Sequence, residues 1–263
     1  MKSRRKHRLI ETAWPRFTAV TPPPPASLRE FEARIDSLRA AMQARRLTHL
    51  VIYGDREHFA NLAYLTGFDP RFEEALLIVR PQGKPLIIVG NECEGYLPIS
   101  PLFAAGKLRH ERFQTFSLLG QPRSSQRPIR RILADEHIGK GSRVGCVGWK
   151  YFSNAEHPDA AHAVDLPAYL ADTLRQLAGR PNVRNVTDIL MHPDYGLRTF
   201  GSASEIAYFE YTNTLASEGM RRMLFGLRPG MTDHALASRA GYNGEPLGCH
   251  MTMATAARPR LAG

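Results

Sequence analysis

Between Ile206 and Leu227 apolar residues return at helical intervals: Ile206, Phe209, Ala216, Met220, Met223 and Leu227 are separated by three, four or seven positions. That spacing describes one face of an α-helix. Ser202 and Glu205 stand just ahead in the S-x-x-E arrangement of a capping box, so the helix is expected to start there. Asn213 interrupts the stripe and must find a partner inside or lie at a contact. Glu205, Glu210 and Glu218 precede Arg221 and Arg222, the order the helix dipole favours. At ~1.5 Å per residue such a helix is roughly 36 Å long, enough to back a large sheet. Pro229-Gly230 ends it, and Thr232 is placed to cap a short second helix through Ala240.

Upstream the pattern changes to alternating helices and strands. Ser27 with Glu30 reads as another capping box, and Phe31, Ile35, Leu38 and Met42 form the stripe of a helix ending near Arg45-Arg46. His49–Tyr53 (HLVIY) is a buried strand with Gly54-Asp55 as its exit turn. Ala75–Val79 and Leu86–Val89 are apolar runs joined by Arg80–Pro85, a hairpin. Strands this continuously apolar predict a sheet covered on both faces. Residues 91–124 are irregular and rich in Pro, Gly and Ser. Pro128–Ile138 reads as a helix with Ile129, Ile132 and Leu133 inward, and Arg143–Trp149 (RVGCVGW) as a further buried strand. Asp165 is expected to cap a helix whose face carries Leu166, Leu170, Leu174 and Leu177. Val183–Leu190 then leads into a connecting loop at 191–201. The alternation from 27 to 190 argues for an α/β domain with helices on a mixed sheet.

Two stretches carry a resemblance. The long helix headed by Arg198 and S-x-x-E, its Pro-Gly-x-Thr turn and the short helix after it resemble the opening of the pita-bread catalytic domain of the creatinase, prolidase and aminopeptidase P metallopeptidases. Tyr64-Leu65-Thr66-Gly67-Phe68, ahead of the hairpin, resembles a stretch of that family's amino-terminal domain. Where the family pattern has a lysine this chain has Gly201. The resemblance implies a creatinase-type amino-terminal domain of ribonuclease-H-like architecture, then the start of an α+β pita-bread domain. The division expected is a basic, Pro-rich leader at 1–26, the amino-terminal domain at 27–197 and the start of the catalytic domain at 198–263.

The same resemblance implies cleavage of an amino-terminal Xaa-Pro bond or a similar small amide. His250, six residues after Gly244, resembles the family's substrate-contacting histidine, whose hydrogen bond stabilises developing charge. The other reading of His250 is an exposed histidine near a chain end. Two divalent ions (manganese, cobalt or zinc) are implied for full-length relatives, held by two Asp, one His and two Glu beyond that histidine. After residue 198 only Glu205, Glu210, Glu218, Asp233 and Glu245 are acidic. The expectation is therefore a chain that stops short of the metal ligands, binds no metal pair and is inactive alone, its full-length relatives being homodimers. No strand pattern follows Gly241, and poor order is expected there.

Composition narrows the rest. At 43% apolar and 23% charged residues the 263-residue chain is ordinary for a soluble globular protein with a sizeable core. No apolar run approaches the ~20 residues of a membrane span, and the amino terminus lacks a secretory apolar segment, so a cytoplasmic protein with no membrane partner is expected. The net charge is +10, and residues 1–20 hold half of it: six Lys and Arg against Glu11 leave +5. Without interleaved aromatics this tail reads as a solvated leader, and nucleic acid is not the expected partner. The rival function class is a non-catalytic self-association or regulatory module whose basic tail meets an acidic partner. Cys93, Cys146 and Cys249 form no C-x-x-C pair, which favours reduced thiols. His157-Pro158-Asp159 with His162, His192-Pro193-Asp194 and the acids of Asn91–Glu94 all read as polar loop residues, because none has the spacing of a ligand pair on a helix. No Gly-rich phosphate loop or nucleophile elbow occurs, so no nucleotide cofactor is implied.

Overall fold

The computed structural model describes residues 10–11, 13, 21–125, 127–245, 247 and 251. One compact unit spans Ala26–Gly201, and the described residues outside it belong to a second. The first unit is built on a six-stranded mixed sheet in the order β4-β3-β2-β1-β5-β6. Its strands are β1 (His49–Gly54), β2 (Ala75–Val79), β3 (Leu86–Val89), β4 (Arg109–Arg112), β5 (Val144–Val147) and β6 (Val183–Asn185). β1, β2 and β3 are antiparallel neighbours, whereas β4, β5 and β6 are parallel to β3, β1 and β5 respectively.

Two hydrophobic clusters explain why the central strands are apolar without interruption. Leu50, Ile52, Leu77, Val79, Ile87 and Val89 join one cluster, with α1 (Leu28–Ala44) and α2 (Ala60–Thr66) supplying Phe31, Leu38, Met42 and Leu65. The intervening residues Val51, Leu76, Ile78, Leu86 and Ile88 join the other, with α5 (Ile129–Asp135) and α6 (Ala168–Ala178) supplying Ile132, Leu133, Leu170 and Leu174. Alternate residues go to opposite faces of a strand, so burial on both faces needs an apolar residue at every position. The fold is thus mixed α/β, as the pattern predicts.

The tyrosine-led stretch is a structural hub. Leu65, Thr66 and Phe68 are fully buried. Tyr64 donates its hydroxyl to the carbonyl of Leu197 at 2.9 Å, and the Arg34 guanidinium lies 4.4 Å from its ring. Gly67 ends α2 at φ 70°, where a side chain is strained, and a Cβ there would stand 2.9 Å from Pro101. Asn61 donates to the carbonyl of Gly148 at 2.8 Å and accepts from Arg198 at 2.7 Å. The stretch therefore ties the exit of β5 to the end of the unit.

Three local expectations need correction. Asn91–Glu94 is not a loop but part of α3 (Asn91–Tyr96), whose first N–H groups donate to the buried carboxylate of Glu73. β4 lies in the stretch read as irregular; its sequence, RHER, is that of a charged sheet edge and carries no apolar signal. Asp165 does not cap α6, which starts at Ala168 behind Pro167. Its carboxylate instead accepts the N–H groups of Trp149 and Lys150, both at 2.8 Å. The short helices α4 (Pro101–Ala104) and α7 (Asp188–Met191) complete the unit, and Arg45 at the end of α1 pairs with Asp188 through both carboxylate oxygens.

In the second unit α8 (Ala203–Gly226) begins with a complete capping box: Ser202 accepts from the Glu205 N–H at 3.2 Å, and the Glu205 carboxylate accepts from the Ser202 N–H at 2.9 Å. Thr232 caps α9 (Asp233–Ala237). Asn213 turns to its own helix, donating to the carbonyl of Phe209. Arg221 and Arg222 pair with Glu218, and Arg221 above all holds that carboxyl down to about 2. Ile206 (59%), Phe209 (64%) and Met220 (60%) of the apolar stripe are exposed. No helix among the described residues is long and apolar enough to cross a membrane.

Candidate functional site

β1 and β5 are parallel neighbours at the middle of the sheet, and their carboxyl ends open into a cleft. Crevices at the carboxyl ends of parallel strands are the usual ligand positions of α/β sheets. This one has a volume of about 240 Å³ and is lined by Tyr53, Asp55, His58, Trp149, Asp165, Leu166 and Pro167. β1 and the turn after it supply the first three, the exit of β5 supplies Trp149, and the segment before α6 supplies the rest.

Each polar group is fixed locally. Tyr53 donates its hydroxyl to Glu74 at 2.7 Å. Burial raises the Glu74 carboxyl above its ordinary value and pushes the Tyr53 phenol far up as well. Burial also works on Asp55, but the N–H groups of His58 and Glu57, at 2.7 and 2.9 Å, reverse it and hold that carboxyl below its ordinary value. The His58 ring sits 4.3 Å from that of Trp149, and Lys150 Nζ lies 4.4 Å from the same indole. Trp149 remains 51% exposed. The result is a small aromatic cleft with carboxylates in its wall.

The other candidates do not assemble. His162 Nδ1 and Arg180 close on the Asp159 carboxylate at 2.6 and 2.7 Å, which makes a surface ion cluster. His192 stacks on Tyr195 with ring centres 3.7 Å apart. Glu92 and Glu94 point to Gln121 and Arg112. Cys93 and Cys146 are buried, and burial pushes both thiols up, Cys146 to about 12, so neither is a thiolate nucleophile at neutral pH. A larger cavity of about 490 Å³ lies against β4 and α5. Its charges are already paired, Arg109 with Glu136 at 2.6 Å and Arg127 with Glu111 at 3.2 Å and with Asp135.

His250 and Cys249 lie outside the described residues, as do most of the basic leader and most of the stretch after Gly241. Among the described residues no group of three or more His, Cys, Asp or Glu side chains is arranged to hold a metal ion. With five acids after residue 198, three of them on α8, the residues present do not fit a pair of divalent ions. Sequence reading missed the cleft because its members come from three separate segments, and no one of them carries a spacing signal.

Residues 34–101 match the family model of the Creatinase/Prolidase N-terminal domain. A comparison with curated proteins finds no match. Among solved structures the chain is similar to the prolidase of Pyrococcus horikoshii OT3, at 12% identity and a TM-score of 0.54, over 79% of this chain and 47% of that one. It is similar to the dipeptidase PepE of Mycobacterium ulcerans, at 20% identity and a TM-score of 0.50, over 81% and 48%. It is also similar to an Xaa-Pro dipeptidase of Bacillus anthracis, at 11% identity and a TM-score of 0.52, over 80% and 47%. This chain spans about half the length of each. At these identities the likeness is one of fold. Residues 34–101 thus resemble a Creatinase/Prolidase N-terminal domain, and the mixed α/β unit around them is similar in fold to those three structures.

Proposed function

We propose that this chain is the amino-terminal portion of a metal-dependent hydrolase acting on amino-terminal Xaa-Pro bonds or a similar small amide, and that the 263 residues are not catalytic by themselves. The observation that carries this reading is the extent of the structural likeness. It covers 79–81% of the chain, more than the 176 residues of Ala26–Gly201 account for, so it reaches into the second unit. That unit opens with a capping-box helix of 24 residues. An α/β domain followed by such a helix is the order that the resemblance to the peptidase family implies.

Hydrolysis of an unactivated amide in this family's manner needs metal-bound water, which needs a convergent set of carboxylate and imidazole ligands. The described residues offer none, and the part proposed for them is architectural: to carry the catalytic domain's first helix and, in a dimer of like chains, to help enclose the substrate. His250 is the residue of this chain proposed to touch that substrate.

The purified chain, given Xaa-Pro dipeptides and longer peptides beginning Xaa-Pro with added manganese, is expected to release no product above the buffer rate. Metal-dependent turnover that disappears in His250→Ala would overturn the non-catalytic reading.

A further inference from the structure

The cleft beyond β1 and β5 has a chemistry of its own, independent of the peptidase reading. Its floor and sides combine an exposed indole, a phenol ring and the apolar Leu166 and Pro167 with two carboxylates, Asp55 and Asp165. Asp55 is engaged at both oxygens: one accepts two backbone N–H groups and the other meets the His58 ring nitrogen at 3.4 Å. Asp165 is not. One of its oxygens takes the N–H groups of Trp149 and Lys150, and the other has no hydrogen-bond partner among the described residues. Glu74 accepts the Tyr53 hydroxyl and does not line the cleft.

The indole that lines the cleft already carries an ammonium group of the chain's own. Lys150 Nζ rests 4.4 Å from the Trp149 ring, the cation–π arrangement that an electron-rich indole favours. The indole is therefore a surface that an ammonium contacts in the fold itself, while the open Asp165 oxygen offers a charge partner that Lys150 does not use. A volume of about 240 Å³ admits a ligand of amino-acid size and excludes a folded chain.

We propose that this cleft is a binding site for a small organic ammonium ion with a flat apolar body. The charge pairs with Asp165, and the body lies against Trp149, Leu166 and Pro167. A free amine and the amino group of an amino acid share this chemistry.

Trp149 is one of only two tryptophans, with Trp14, so a Trp14→Phe background makes fluorescence report on the cleft alone. Benzylamine is the probe, and benzyl alcohol its uncharged counterpart. Benzylamine is expected to change Trp149 emission saturably in the millimolar range, with benzyl alcohol at least about tenfold weaker. Asp165→Asn keeps an oxygen for the two backbone N–H groups but removes the charge, and is expected to weaken benzylamine about tenfold or more. Lys150→Met leaves the Asp165 hydrogen bonds intact and removes a competing cation, so binding there should be at least as tight. No saturable response to benzylamine, equal affinity for the alcohol, an undiminished affinity in Asp165→Asn, or lost binding in Lys150→Met would each overturn the proposal. None of these outcomes depends on whether the chain belongs to a peptidase.

Discussion

Gly148→Ala is expected to destabilise the α/β unit by roughly 3 kcal/mol or more, since an added Cβ there has the shortest contact of any described glycine. An ideal Cβ at Gly148 would stand 1.9 Å from the carbonyl oxygen of Asp165 and 2.9 Å from its carbon. Both obstacles are backbone, so no rotamer change relieves them. If the Asp165 segment retreats, the carboxylate leaves the N–H groups of Trp149 and Lys150. If Gly148 retreats, it loses the Thr187 hydroxyl that accepts its N–H at 3.1 Å and the Asn61 amide that donates to its carbonyl. The bonds of Gly148 to Thr187 and Asn61 are buried, and leaving those groups unpaired adds to the cost. Urea unfolding should show the loss as a lower midpoint, and thermal unfolding as a fall of about 6–12 °C for a unit of this size. Gly95→Ala is the control, because a Cβ there meets nothing within 4 Å and gains helix propensity within α3. A Gly148→Ala protein as stable as Gly95→Ala would mean that the β5 exit is not packed as described.

Phe68→Ala is expected to cost about 3–5 kcal/mol, the range for deleting a fully buried aromatic. Phe68 has no exposed surface, lies in the cluster with Leu38, Leu65 and Leu97, and faces the Tyr96 ring at 5.9 Å. Its backbone N–H also donates to Thr66 Oγ1, so the residue sits where α2 turns back into the core. A cavity at this point loosens α1, α2 and α3 together. The contrast is Phe72→Ala, four residues on and 45% exposed, where a change under about 0.5 kcal/mol is expected. Comparable losses at the two positions would contradict the placement of the tyrosine-led stretch at the core.

How far the fold could be read from the chain depended on where burial was symmetrical. β1, β2, β3 and β5 were legible because both faces of the sheet are covered, which leaves an apolar run that no loop resembles. The caps at Ser27, Ser202 and Thr232 were legible because their partners lie three residues away. β4 was not, because an edge strand faces water and its Arg-His-Glu-Arg sequence looks like a loop. α3 was hidden for a different reason. The carboxylate that caps it, Glu73, is about twenty residues upstream, across the β2–β3 hairpin. Asp165 was misread because an acid ahead of an apolar run has the same local sequence whether it caps that helix or a distant turn. The cleft was least legible of all, since its chemistry exists only once the exits of β1 and β5 and the segment before α6 meet.

The central claim is that this chain is the amino-terminal portion of a two-metal peptidase. The measurement that tests it most directly is the coding DNA, read onward from the codon for Gly263. The account predicts an open frame that supplies, in order, two Asp, a His and two Glu, with His250 upstream of them as the substrate contact. A stop codon immediately after Gly263 would contradict it and leave a non-catalytic module in its place.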